Sequence, residues 1–185
     1  MAEEKKLLLH ICCAPCGAGC VNRQEMSTAN REVVLFYSNS NLDSIEEFDK
    51  RLNEVKKLAE FYHLPLIIDP YDHQAWLAAV GEFAGEPEGG KRCRKCFEFN
   101  LSRAAQFAKE GNFATTLTVS PRKSSRTIFE AASRWENFEK IDFKKKNGYL
   151  IGRNFAVEHG FYRQNYCGCE FSRRQTAANE SEDNV

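Results

Sequence analysis

The chain has no net charge. Lys plus Arg and Asp plus Glu each number 26 in 185 residues. That excludes binding to nucleic acid through wholesale basic character and leaves only local basic patches. Long apolar runs are missing too. The run at 7–9, extended by Ile11, falls far short of a membrane span, so no membrane partner is expected. The stretch before it is charged and short, unlike a secretory signal, and a cytoplasmic protein is expected. No internal repeat is visible. The length suits one domain with a sizeable core, not two full-sized ones. We expect a single domain over 1–175 and a polar, acidic, disordered tail over 176–185.

Cysteine is the residue in excess. The eight fall into three groups: Cys12, Cys13, Cys16 and Cys20; Cys93 and Cys96; Cys167 and Cys169. A disulfide framework fits a small secreted domain, and neither the size nor the start of this chain matches that. Clustered cysteines in an intracellular protein point to metal binding or redox chemistry.

Hydrophobic periodicity predicts strands at 7–11, 33–37, 66–68 and 115–119. Residues 44–62 carry apolar side chains at helical spacing, with Ser44 as N-cap and Glu47 completing a capping box. Further helices are expected at 74–80, 97–109, 125–135 and 155–159, the last ended by Gly160. Residues 81–90 read as a loop leading into Cys93. Strands alternating with helices predict an α/β fold, a parallel sheet with helices on both faces. Ligands of such sheets bind beyond the carboxyl ends of the strands. Cys12 and Cys13 follow the first strand, and 120–123 follows the fourth, so both should face that rim.

Cys93 and Cys96 have the two-residue spacer that lets two thiolates reach one metal centre. Cys12 and Cys13 supply two more sulfurs, provided the backbone turns there, which Ala14-Pro15 favours. Four thiolates suit structural zinc or an iron–sulfur cluster, and spacing does not choose between them. Cys16 and Cys20 share one helix face if the chain turns helical after Pro15, as spare ligands or as small packing residues. In Cys167-Gly168-Cys169 a single glycine separates two thiols. They can close a strained, easily reduced disulfide, serve as a metal-ligand pair, or be unrelated.

Three segments together resemble the QueH-type epoxyqueuosine reductases. They are His10-Ile11-Cys12-Cys13-Ala14-Pro15-Cys16; Glu86-Pro87-Glu88-Gly89-Gly90 running into Arg92-Cys93-Arg94-Lys95-Cys96-Phe97; and Tyr162-Arg163-Gln164-Asn165-Tyr166-Cys167-Gly168-Cys169. Asp142-Phe143-Lys144-Lys145 and Gly148-Tyr149 match a further family segment, and the resemblance runs from about residue 7 to residue 172. It implies a nucleotide-hydrolase-like, Rossmann-like (HUP) core. It implies reduction of epoxyqueuosine to queuosine at the wobble position of tRNA, the last step of queuosine biosynthesis, with loss of water. It further implies Cys12, Cys13, Cys93 and Cys96 as ligands of a [4Fe-4S] cluster, Cys167 and Cys169 as a redox-active disulfide, and an additional iron ion near the cluster. The electron donor is left unidentified. Asn100 stands where the family is expected to carry arginine, and Ser124 and Ser125 also depart from its pattern.

His10 and Tyr162 adjoin the cysteine motifs and are candidate proton donors or structural hydrogen-bonding groups. Local tRNA contacts are expected from Arg122, Lys123 and Arg126, from Lys144, Lys145 and Lys146, and from Arg173 and Arg174. An aromatic ring stacked on an anticodon base is expected without an assignable residue. An ATP-dependent tRNA-thiolating enzyme of the same fold class needs a glycine-rich phosphate loop after the first strand, where this chain has Cys12-Cys13-Ala14-Pro15-Cys16. A zinc-binding interaction module explains the paired cysteines but not Cys167 and Cys169. A general thiol–disulfide oxidoreductase explains only that last pair.

Overall fold

A computed structural model describes residues 5–21, 26, 31–109 and 111–174. The expected tail at 176–185 lies outside the described residues. Four parallel strands, β1 (Lys5–Ile11), β2 (Arg31–Tyr37), β3 (Leu66–Ile68) and β4 (Asn112–Thr115), form one sheet in the order β3-β2-β1-β4. The helices are α1 (Ala14–Val21), α2 (Ile45–Phe61), α3 (His73–Val80), α4 (Lys91–Ala108), α5 (Ser125–Ala131) and α6 (Gly148–Glu158). This is the expected α/β parallel-sheet fold.

Strand alternation builds a core on each face. Leu7, Leu9 and Ile11 of β1, with Leu35 and Tyr37 of β2, pack against α1, α2 and Phe155 of α6. Leu8 and Phe36 point the other way, onto Phe97, Leu101 and Ala104 of α4 and Ile128 of α5. Leu9 pairs with Leu35 on one side and Ala114 on the other, so β1 is the centre of the sheet. From β1 the chain runs outward through β2 and β3, then returns to place β4 on the opposite flank. The strand order therefore reverses between β1 and β4, where a crevice opens beyond their carboxyl ends. Among the described residues, no helix is long and apolar enough to cross a membrane.

Several elements differ from the sequence reading. The fourth strand stops at Thr115, and Thr116–Val119 is a 3-10 turn. Thr115 Oγ1 accepts the Leu117 N–H at 3.2 Å, drawing the β-branched run out of the strand. Residues 81–90 are not all loop, since Gly81–Phe83 is a 3-10 turn. α4 begins at Lys91, six residues before the expected start, so Cys93 and Cys96 are helical. α5 stops at Ala131, short of 135. α6 begins at Gly148, not 155, because Gly148 and Gly152 pack on the backbone of α1. Only half of the capping box forms. Ser44 Oγ accepts the Glu47 N–H at 3.2 Å, but the Glu47 carboxylate turns to Arg51 Nε at 2.7 Å.

Candidate metal centre and active site

β1 ends at Ile11 and α1 begins at Ala14, leaving Cys12 and Cys13 in the turn between them. This abrupt strand-to-helix joint lets adjacent side chains converge. The Cys12 N–H donates to Thr116 Oγ1 at 3.1 Å, tying the turn to the end of β4. Cys16 follows on α1. The sulfurs of Cys12, Cys13 and Cys16 all lie within 4.8 Å of one another. Cys20 is fully buried in the core behind them.

The three thiols line a cavity of about 520 Å³ beyond the carboxyl ends of β1 and β4, which Cys96 and Cys167 also line. Cys93 does not line it. It sits in the first turn of α4, where its Sγ accepts the Gly89 N–H at 3.2 Å. Cys93 and Cys96 share a helix face, and the amino end of α4 favours negative charge.

Charge within the thiol group is unevenly shared. Cys12, donating to Cys13, is pushed up to about 12. Cys16, hydrogen-bonded to Cys12 and Cys13, is raised well above the usual thiol value. Cys13 receives those bonds and is held well below it. Burial would lower Arg51 and Lys123, yet electrostatic interaction with Cys13 raises Arg51, and interaction with Cys167, Cys12, Cys16 and Cys13 raises Lys123. Burial pushes Cys96 well up and also raises Cys93.

Cys167 and Cys169 are thiols, as are the other six cysteines. Cys167 is on the cavity wall, whereas Cys169 is buried beside Trp76 and Cys96, and burial raises it to about 11. Gly168 between them has φ +129°, a conformation that L residues rarely adopt. The Asp43 N–H bonds to its carbonyl at 2.9 Å, and Arg51 Nη1 to that of Cys167 at 3.1 Å.

The proton-donor candidates lie elsewhere. His10 is fully buried, with Nε2 3.0 Å from the Ser38 carbonyl and Nδ1 2.9 Å from Thr115 Oγ1. Burial lowers it to about 4 and keeps it neutral, as a strut between strands and not a wall of the cavity. The Tyr162 hydroxyl donates to the Glu47 carboxylate at 3.2 Å and does not line the cavity.

The basic candidates separate in the same way. Lys144 Nζ donates to the carbonyls of Thr118 and Lys123 and to Ser125 Oγ, so it braces a loop. Arg173 is paired with Asp43 and Tyr166, and Arg126 with Glu130. Lys145, Lys146 and Arg174 are exposed and do not line the cavity. Lys123 reaches into the cavity, and Arg122 is exposed at its rim.

Arg51, Gln164, Tyr149, Arg153 and Arg163 also line it and were missed in the sequence. Arg51 carried a usable signal, because Glu47 and Arg51 are charged, one turn apart, beside the apolar stripe of α2. The departing Asn100 is buried on the cavity wall and donates to Asn41 Oδ1 at 3.1 Å. A cavity walled by converging sulfur donors fits a soft-metal or iron–sulfur centre.

Known proteins resemble the chain along most of its length. A family model described as "Epoxyqueuosine reductase QueH" matches residues 7–175. Curated proteins named epoxyqueuosine reductase QueH include one from Thermotoga maritima, 34% identical over 180 positions, covering 90% of this chain and 89% of that protein. One from Acinetobacter baylyi is 32% identical, covering 92% and 82%. One from Streptococcus pyogenes is 31% identical, covering 91% and 70%.

Proposed function

The chain belongs to the epoxyqueuosine reductase QueH family, and from this we propose that it reduces epoxyqueuosine in tRNA to queuosine in the cytoplasm, as a single catalytic domain. The observation that carries the reading is a cavity with the Cys12, Cys13 and Cys16 sulfurs mutually within 4.8 Å and Cys167 also lining it. Converting the epoxide to an alkene and water consumes two electrons and two protons. Oxidation of the Cys167 and Cys169 thiols to one disulfide releases the same number, so the step balances. An external electron donor then restores the dithiol.

Cys12, Cys13 and Cys96 on the cavity, with Cys93 one turn before Cys96 on α4, would hold a [4Fe-4S] cluster, with an additional iron ion beside it, supplying single-electron transfer and Lewis acidity toward the epoxide oxygen. The protein's own groups do the rest. Lys123 and Arg51 offset negative charge at the thiols. Gly168 and Arg51 hold Cys167 at the wall.

Anaerobic iron reconstitution tests this reading. We expect broad absorbance near ~400 nm with about four irons and four sulfides per chain. The absorbance should be lost in Cys12→Ser and retained in Cys167→Ser, with neither variant reducing epoxyqueuosine-containing tRNA. A colourless protein holding stoichiometric zinc contradicts it.

A further inference from the structure

α6 lies against α1 through glycine. A methyl group added at Gly152 would collide with the Pro15 carbonyl oxygen, and one at Gly148 would approach the Gly19 carbonyl at 3.2 Å. Gly148 and Gly152 are one turn apart and face α1 together. Tyr149 and Arg153 follow them by one residue and share the next stripe of the helix. That stripe lines the thiol cavity, and both residues are exposed, Tyr149 by 47%. They therefore stand at the mouth, on a helix that its glycine contacts hold in place.

Arg122, beyond β4, and Arg163, before the redox pair, are exposed at the same mouth. Among the described residues, none of these three arginines pairs with a carboxylate, and Glu88 is the sole carboxylate lining the cavity. Three cations from three separate segments line one opening together with an aromatic ring. Arginines carried by three separate segments at one opening can meet successive phosphates of a strand that crosses it.

We propose that Tyr149 stacks on an unpaired base next to the nucleotide in the cavity, and that Arg153, Arg122 and Arg163 bind the flanking phosphates. The ligand class is single-stranded RNA, such as an anticodon loop. The proposal rests on the function proposed above, but it concerns recognition and leaves the redox step untouched. An aromatic platform with cations along the strand is the general chemistry of single-strand binding.

The test uses the full chain, prepared anaerobically, and fluorescence anisotropy with a labelled anticodon stem-loop carrying unmodified guanosine at the wobble position. Tyr149→Ala should weaken binding about tenfold or more, while Tyr149→Phe, which keeps the ring, stays near wild type. Arg153→Gln should lower the slope of log affinity against log salt by about 0.7, one single-strand phosphate contact. Wild-type affinity in Tyr149→Ala, or an equal loss toward a fully paired duplex of the same length, overturns the stacking role. Epoxide reduction is assayed on the same preparations. Tyr149-dependent loop binding without reduction supports this proposal and overturns the reading beneath it. Reduction by Tyr149→Ala with unchanged KM for tRNA does the reverse.

Discussion

Arg51 Nη1 donates to the main-chain carbonyl of Cys167 at 3.1 Å, so a helix flanking the sheet holds the loop that carries the second thiol pair. The same guanidinium binds the Glu47 carboxylate through Nε at 2.7 Å, and both side chains are buried. Removing one partner of a buried ion pair strands the other. Arg51→Met should therefore cost about 3–5 kcal/mol of stability, and the Glu47→Gln, Arg51→Met double variant less than the single one. Urea denaturation of the three proteins measures this. A single variant as stable as wild type contradicts the pairing.

Gly168 makes a second prediction. Its φ is +129°, and an added methyl would strike the Leu42 side chain. Gly168→Ala should displace Cys167 from the cavity while leaving Cys12, Cys13 and Cys16, which are carried by the β1–α1 turn and α1, in place. We expect turnover to fall about tenfold or more with iron content unchanged, since small misplacements of reacting groups cost rate steeply. Wild-type turnover in this variant means the loop conformation does not matter to the chemistry.

The glycines between α1 and α6 separate packing from propensity. Gly152→Ala should destabilise by about 2 kcal/mol or more, because its methyl meets backbone that has nowhere to move. Gly81→Ala, with nothing within 4 Å of the added methyl, should be neutral or slightly stabilising. Thermal unfolding of the pair checks the contrast. Equal effects would show that the helix contact is looser than described.

His10 should act on stability and not on chemistry. His10→Leu leaves the Ser38 carbonyl and Thr115 hydroxyl without their ring partner, at a cost of about 2–4 kcal/mol. Turnover per folded molecule should be unchanged. Loss of turnover without loss of stability would restore His10 as a proton donor.

Local signals explain which elements were legible in the sequence. β3 occupies 66–68 as expected, and α2 follows its apolar stripe and the Ser44 cap, because short-range periodicity and capping determine both. Cys12 and Cys13 were placed at the crevice because they directly follow a strand. α6 was cut short because Gly148 and Gly152 are poor helix formers in isolation, and only packing on α1 favours them. The early start of α4 was hidden because Gly90 caps it without a side chain. Arg51, Tyr149, Arg153 and Arg163 come from distant segments that tertiary folding alone brings to one cavity. Only Arg51, one turn from Glu47 beside the apolar stripe of α2, carried a local signal of its own.

The most direct measurement is a single turnover without external reductant. Reconstituted protein, with Cys167 and Cys169 reduced and excess thiol removed, is mixed anaerobically with epoxyqueuosine-containing tRNA. Queuosine is quantified in the tRNA, and free cysteines are alkylated and mapped by mass spectrometry. The account predicts that queuosine forms in equal amount with a Cys167–Cys169 disulfide, and that Cys167→Ser forms neither. Queuosine appearing while both thiols remain fully alkylatable would contradict it.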